Sequence, residues 1–221
     1  MHNIFIDIET LPNQSPEYRA KVRAGIKPPG NISKPESIAK WMEENAESAA
    51  DEAVAKTSFD PAAGHICSIS WAVGDDEVRS AVLGADLGDE ASIIRWFFET
   101  LPELGMNRFI GHYITGFDLR FIMCRAIVLG VKVPALWPRD PKPWDQSAFD
   151  TMTAWAGARG TISLDRLCEA LGIESPKGEL DGSQVAQAWL DGRYDEIAAY
   201  NRADVVAVRE VFRKFEAVGL V

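Results

Sequence analysis

The chain opens on Ile4-Phe5-Ile6-Asp7-Ile8-Glu9-Thr10, an apolar run interrupted only by two acids one residue apart. It is too short for a helix and reads as a buried strand. Residues i and i+2 of a strand share a face, so Asp7 and Glu9 project side by side, close enough to repel. From Pro12 to about Thr57 the pattern becomes charged and punctuated by proline. Ser15-Pro16-Glu17 reads as a helix start and Gly25 as its stop. Ser33-Lys34-Pro35-Glu36 has the spacing of a capping box and predicts a longer helix through Trp41 towards Ala55. These helices form an insertion after the first strand.

Beyond the insertion, His65–Gly74 and Glu77–Gly84 read as two strands joined at Gly74-Asp75-Asp76. Glu90–Leu101, apolar at Ile93, Ile94, Trp96, Phe97 and Leu101, is an amphipathic helix. A short strand around Arg108-Phe109-Ile110 ends at Gly111. Asp118 then opens a helix expected to bury Leu119, Phe121, Ile122 and Ile127 and to stop near Gly130. Pro134–Trp144 predicts an irregular surface loop whose Trp137 and Trp144 either stack on bases or pack on the domain. Phe149–Met152 reads as a short edge strand. Ser163–Gly172, Ser183–Leu190 and Tyr194–Phe215 read as helices. Strands first and helices interleaved afterwards predict an α/β domain with a mixed sheet flanked by helices. The chain, 1–221, is expected to be one domain with a helical insertion at about 12–57.

Composition narrows the partners. With 23 basic against 33 acidic residues the net charge is −10, so the surface as a whole repels nucleic acid. Any polyanion must be held locally, by metal ions or a basic patch. One such patch is on offer, because Pro12–Lys34 carries Arg19, Lys21, Arg23, Lys27 and Lys34 against Glu17. The insertion leaves the first strand directly after the paired acids, so this basic half is expected either to wall in a bound strand or to cover a sheet edge. Cys67, Cys124 and Cys168 lie apart in apolar surroundings and read as reduced core residues. No basic-then-apolar leader opens the sequence and no apolar run approaches ~20 residues, so a soluble cytoplasmic protein with no membrane segment is expected.

Three further residues change the reading of the first two acids. Asp118 sits just inside a helix start, where backbone N–H groups favour its charge. Tyr200 and Asp204 are four apart and share a helix face. Asp204 precedes Val205, Val206 and Val208, on or beside a buried face, where an acid needs a partner and a metal ion is one solution. Taken singly, each has an ordinary explanation: a solvated strand end, a helix-start acid, a helical acid.

Together, Asp7-Ile8-Glu9-Thr10, Phe117-Asp118 and Tyr200 with Asp204 resemble the three motifs of the DEDDy 3′–5′ exonucleases, and most closely the stand-alone enzymes similar to the proofreading domain of family B DNA polymerases. The resemblance covers most of the chain outside the insertion. It implies the ribonuclease H-like fold, a mixed five-stranded sheet with its first three strands antiparallel. It implies that Asp7, Glu9, Asp118 and Asp204 bind two divalent ions, Mg2+ or Mn2+, whose hard character suits carboxylate oxygens. Tyr200 would orient the attacking water, giving activity that rises towards alkaline pH because Tyr titrates near ~10. Thr10, Leu11 and Phe117 would touch substrate, with Leu11 against the terminal sugar or base. His112 would contact a phosphate or cap the strand end, and Lys177, in the polar loop Ser175-Pro176-Lys177-Gly178, would meet a phosphate or remain solvated. Tyr113 departs from the pattern, falling where many relatives have an Asn that helps hold the substrate. The implied reaction is removal of nucleotides from free 3′ ends of single-stranded DNA, releasing nucleoside 5′-monophosphates. An exoribonuclease that degrades oligonucleotides, or a silent nucleic-acid-binding scaffold, stands as the alternative. A polymerase or repair partner is compatible with the resemblance, and the oligomeric state is left open.

Overall fold

The computed structural model describes residues 2–102, 107–142, 144–176 and 180–221. Its strands are β1 (His2–Leu11), β2 (His65–Val73), β3 (Arg79–Val82), β4 (Asn107–Gly111) and β5 (Ala148–Asp150). Its helices are α1 (Pro16–Gly25), α2 (Pro35–Ala55), α3 (Glu90–Thr100), α4 (Asp118–Val128), α5 (Thr151–Ala156), α6 (Leu164–Leu171), α7 (Val185–Leu190) and α8 (Tyr194–Ala217).

The strands form one sheet in the order β3-β2-β1-β4-β5. β1 runs parallel to β4, with Ile4 opposite Phe109, and β4 runs parallel to β5, with Ile110 opposite Phe149. β2 and β3 form the antiparallel hairpin, Ser70 opposite Ser80. Gly74, just past the end of β2, donates its N–H to the Asn3 carbonyl near the start of β1, so these two strands also run in opposite directions. This is the expected mixed sheet of the ribonuclease H-like fold.

Strand alternation divides β1 between two cores. Ile4, Ile6 and Ile8 face a layer containing Ile93, Ile94 and Phe97 of α3 and Leu119, Phe121 and Ile122 of α4. Phe5 faces the other way and packs with Ile110 on Val205, Val208 and Phe212 of α8, the two rings meeting edge-on at 5.6 Å. Asp7 and Glu9 continue the Phe5 row and are therefore aimed along α8. Burying each of these large side chains contributes about 1.5–3 kcal/mol, which fixes the strand register and with it the aim of both acids.

Several local expectations shift. Ile127 of α4 is 68% exposed, because the apolar stripe of that helix runs through Leu119, Ile122 and Ala126 instead. Trp137 is a core residue, 4% exposed, with its indole N–H donated to the Leu119 carbonyl at 3.2 Å, whereas Trp144 lies open at 80%. The edge strand stops at Asp150, whose carboxylate accepts the N–H groups of Met152 and Thr153 and starts α5 there. The capping box does not form. Pro35 takes the first helical position, to which its fixed φ is suited, leaving Lys34 as N-cap without a side-chain bond. The hydroxyl of Ser15 does cap α1.

The chain divides into two compact units, one comprising the residues up to Glu9 with Ile66–Val221, the other Thr10–His65. The second is wider than the expected insertion because it takes in the end of β1 and the first residue of β2. Its two helices are joined by ion pairs: Arg19 with Glu47 at 3.0 Å and Asp51 at 2.7 Å, and Arg23 with Glu47 at 2.5 Å. Its ends are tied by the Thr10 hydroxyl, donated to the Ser58 carbonyl, and by the Asn13 amide, donated to the Ala63 carbonyl. Among the described residues, no helix is long and apolar enough to cross a membrane.

Candidate active site

β1 and α8 assemble the centre of the site. Asp7, Glu9 and Asp204 each offer a carboxylate oxygen, and these atoms lie within 4.8 Å of one another. Asp118 joins from the first turn of α4, 4% exposed, with Oδ1 accepting the Ile8 N–H at 3.2 Å. A β-strand backbone thus holds one acid while two neighbours on the same strand supply others. Tyr200, one turn before Asp204 on the same helix face, brings its hydroxyl near enough to that carboxylate to favour its charged form.

The electrostatics are those of like charges gathered out of water. Burial, followed by the charges of Asp204, Asp118 and Glu9, pushes Asp7 well above the usual carboxylate range, while a hydrogen bond from Asn201 opposes the rise. Burial and the charges of Asp204 and Asp118 do the same to Glu9. Asp118 is raised to about 7, chiefly by burial, against the restraining bonds from its own and the Ile8 N–H groups. Burial likewise raises Asp204 to about 7, opposed by the Tyr200 hydroxyl. The Tyr200 phenol is pushed up by burial and then by Glu9, Asp204 and Asp7, so it remains a proton donor. No described lysine or arginine is among the causes of these shifts. Hard carboxylate oxygens converging without a basic side chain fit divalent cations such as Mg2+ or Mn2+, which favour such ligands.

Two residues with no assigned role in the sequence complete the arrangement. Asn201 is fully buried, donating its amide to Asp7 Oδ2 at 2.5 Å and accepting the Ser68 hydroxyl at 2.8 Å, which links β2, α8 and β1. An Asn in a helix interior, where its propensity is poor, was the available signal. Asp150 accepts the N–H of Tyr113 at 3.1 Å, and the N–H and hydroxyl of Thr115 at 3.0 and 2.7 Å, while capping α5. It thereby holds the loop leading into Asp118. Gly111, where that loop begins, has no room for a side chain, because a Cβ there would lie 2.7 Å from that of Ile114.

The other expected contact residues are placed less uniformly. His112 uses both ring nitrogens within the protein, Nδ1 with the Thr151 hydroxyl at 2.9 Å and Nε2 with the Ile162 carbonyl at 2.8 Å. Burial lowers its pKa, so it is neutral, with Nε2 as donor. Phe117 is half-buried and packs against Phe121 at 5.2 Å. Leu11, expected against the terminal sugar or base, is 1% exposed, and the Thr10 hydroxyl is engaged by Ser58. Lys177 lies outside the described residues. Farther along that loop, a Cβ on Gly182 would come 3.8 Å from the Tyr200 hydroxyl, so its backbone borders the site.

A family described as predicted 3′–5′ exonucleases related to the exonuclease domain of PolB matches residues 58–219. No curated protein matches the chain. Among solved structures, it is similar to the family B DNA polymerase from the hyperthermophilic archaeon Pyrobaculum calidifontis, with a TM-score of 0.56 and 16% identity over 99% of this chain. The chain covers 24% of that polymerase, and at this identity the likeness is one of fold. The matched stretch contains Asp118, Tyr200 and Asp204, and β1 brings Asp7 and Glu9 to them from outside it. The protein belongs to the family of predicted 3′–5′ exonucleases related to the exonuclease domain of PolB.

Proposed function

We propose that the protein hydrolyses phosphodiester bonds at free 3′ ends of single-stranded DNA, releasing nucleoside 5′-monophosphates, with Asp7, Glu9, Asp118 and Asp204 holding two divalent ions, Mg2+ or Mn2+. The observation that carries this reading is the convergence of the Asp7, Glu9 and Asp204 carboxylate oxygens within 4.8 Å, with buried Asp118 adding its charge. When bound, such ions neutralise phosphate charge and lower the pKa of water. The chain's own residues do the positioning. The Asn201 amide fixes the Asp7 carboxylate and the Ile8 N–H fixes Asp118, as supports that keep ligands in one orientation. The Tyr200 hydroxyl, on the helix face it shares with Asp204, orients the attacking water. Neutral His112 holds the β4–α4 loop against α5 and the Ile162 segment. Phe117 at the helix start would border the terminal nucleotide, and Lys177 would meet a phosphate.

DNA is preferred over RNA on the strength of the family alone, so both belong in the test. Single-stranded DNA and matched RNA, labelled at either end, are incubated with Mg2+, Mn2+ or EDTA alongside Asp7→Ala. Early loss of a 3′ label with a descending ladder from the 5′ label, abolished by EDTA and by the substitution, is the expected result. Cleavage confined to RNA would assign an exoribonuclease, and binding unchanged by Asp7→Ala without any cleavage would assign a scaffold. Proofreading requires a polymerase or repair partner supplied from outside this domain.

A further inference from the structure

Among the described residues, Tyr113 is the one non-glycine in the left-handed region, at φ 61°. That conformation is unusual for an aromatic residue and persists only where the surroundings impose it. They do so here. Its N–H is held by Asp150, and its carbonyl accepts the N–H groups of Gly116 and Phe117 at 3.1 and 3.0 Å. Thr115 is tied to the same Asp150 carboxylate. The ring lies directly on Gly116, where an added Cβ would fall 2.3 Å from Cε2 and 2.5 Å from Cζ. Yet the residue is 47% exposed, on the loop that ends in Asp118. The fold therefore pins the backbone and supports one side of the ring while leaving surface open on the loop that leads into Asp118. Phe117 is turned towards the core, so Tyr113 is the exposed aromatic of this loop.

We propose that Tyr113 is a stacking platform for a nucleobase near the 3′ end of the strand, setting which phosphodiester lies over the acids. The proposal rests on the nucleic-acid reading above. A flat ring held in place before binding suits a base, because every base has a π-face and little ordering remains to be done on association. Asp150 and Gly116 act through Tyr113, the first by fixing its backbone and the second by making room for its ring.

The test is binding of 5′-fluorescein single-stranded DNA by anisotropy, with Ca2+ in place of Mg2+, to the wild type, Tyr113→Phe, Tyr113→Ala, Tyr113→Asn and Gly116→Ala. Matched oligonucleotides carry one abasic site at the first, second or third position from the 3′ end. Tyr113→Ala should bind about 5- to 150-fold more weakly and Tyr113→Phe within about twofold of wild type. Tyr113→Asn should lose the wild type's abasic penalty while melting no lower than wild type, since Asn enters the left-handed region more readily. Gly116→Ala should weaken binding in the same direction. One abasic position should impair wild type but not Tyr113→Ala further, which a merely structural role would not produce. Equal abasic penalties in wild type and Tyr113→Ala, or unchanged binding by Tyr113→Ala, would overturn the platform. Failure of the wild type to bind DNA or RNA would instead overturn the nuclease reading, and the platform with it.

Discussion

Charge is used in opposite ways in the two units of this molecule. In the Thr10–His65 unit, Arg19 and Arg23 on α1 meet Glu47 and Asp51 on α2, unlike charges paired at a surface where Arg19 and Glu47 keep side-chain exposures of 41% and 64%. Such pairs are worth about 0–1 kcal/mol each and serve to register two helices. In the other unit, four like charges converge around β1 and α8, and folding alone gains nothing by gathering them. That unit can also pair a buried charge when structure requires it. Arg125 and Glu90, 4% and 7% exposed, form a two-pronged ion pair at 2.8 and 2.7 Å between α4 and α3. The four acids are therefore the candidate cation site, and ion pairing on α2 accounts for two of the five cations of the insertion's basic half, Arg19 and Arg23, without a substrate.

The largest effect should follow from Asp204→Asn, which removes one member of the like-charge cluster. Exonuclease activity should fall on the order of 10³-fold or more in a labelled-strand assay, while the metal-free protein becomes more stable. Asp118 and Asp204 are raised to about 7 in the folded protein from a reference of 3.8, so between about pH 4 and 7 the folded state binds more protons than the unfolded chain. Stability in EDTA should accordingly fall as pH rises through that window, with Asp7 and Glu9, raised by the same burial, adding to the fall. Thermal melts should show a shallower fall in Asp204→Asn, and Mg2+ or Mn2+ should restore wild-type stability most at the alkaline end.

Breaking the buried unlike pair should act in the reverse sense. Arg125→Met leaves Glu90 buried without its partner and should lower stability by about 3–5 kcal/mol, read as a large drop in the denaturation midpoint. Tyr200→Phe removes the hydroxyl proposed to orient the attacking water and should lower kcat about 10- to 100-fold with little change in the melting temperature. The smallest effect belongs to the insertion: Glu47→Ala should barely move the melting temperature and leave nuclease activity unchanged, because exposed ion pairs are screened by water. A large activity loss there would make the helical unit a participant in strand binding.

The local signals of the sequence were sufficient for most elements and for the faces on which the acids lie. Ser15 and Ser163 cap helices, alternation separates Ile4, Ile6 and Ile8 from Phe5, Asp7 and Glu9, and the four-residue spacing puts Tyr200 against Asp204. These relations are set by periodicity within one element. What the tertiary structure decided lies between elements. It drew Asn201 from α8 onto Asp7, made Asp150 both a helix cap and the clamp of a distant loop, and buried Trp137 while exposing Trp144. It also paired Arg19 and Arg23, two of the five cations of a positive patch that looked free along the chain, with acids of the next helix. A residue's own type and spacing determine which face it occupies. Whether that face meets a carboxylate, a ring or water depends on packing between segments far apart in sequence, which local periodicity does not encode.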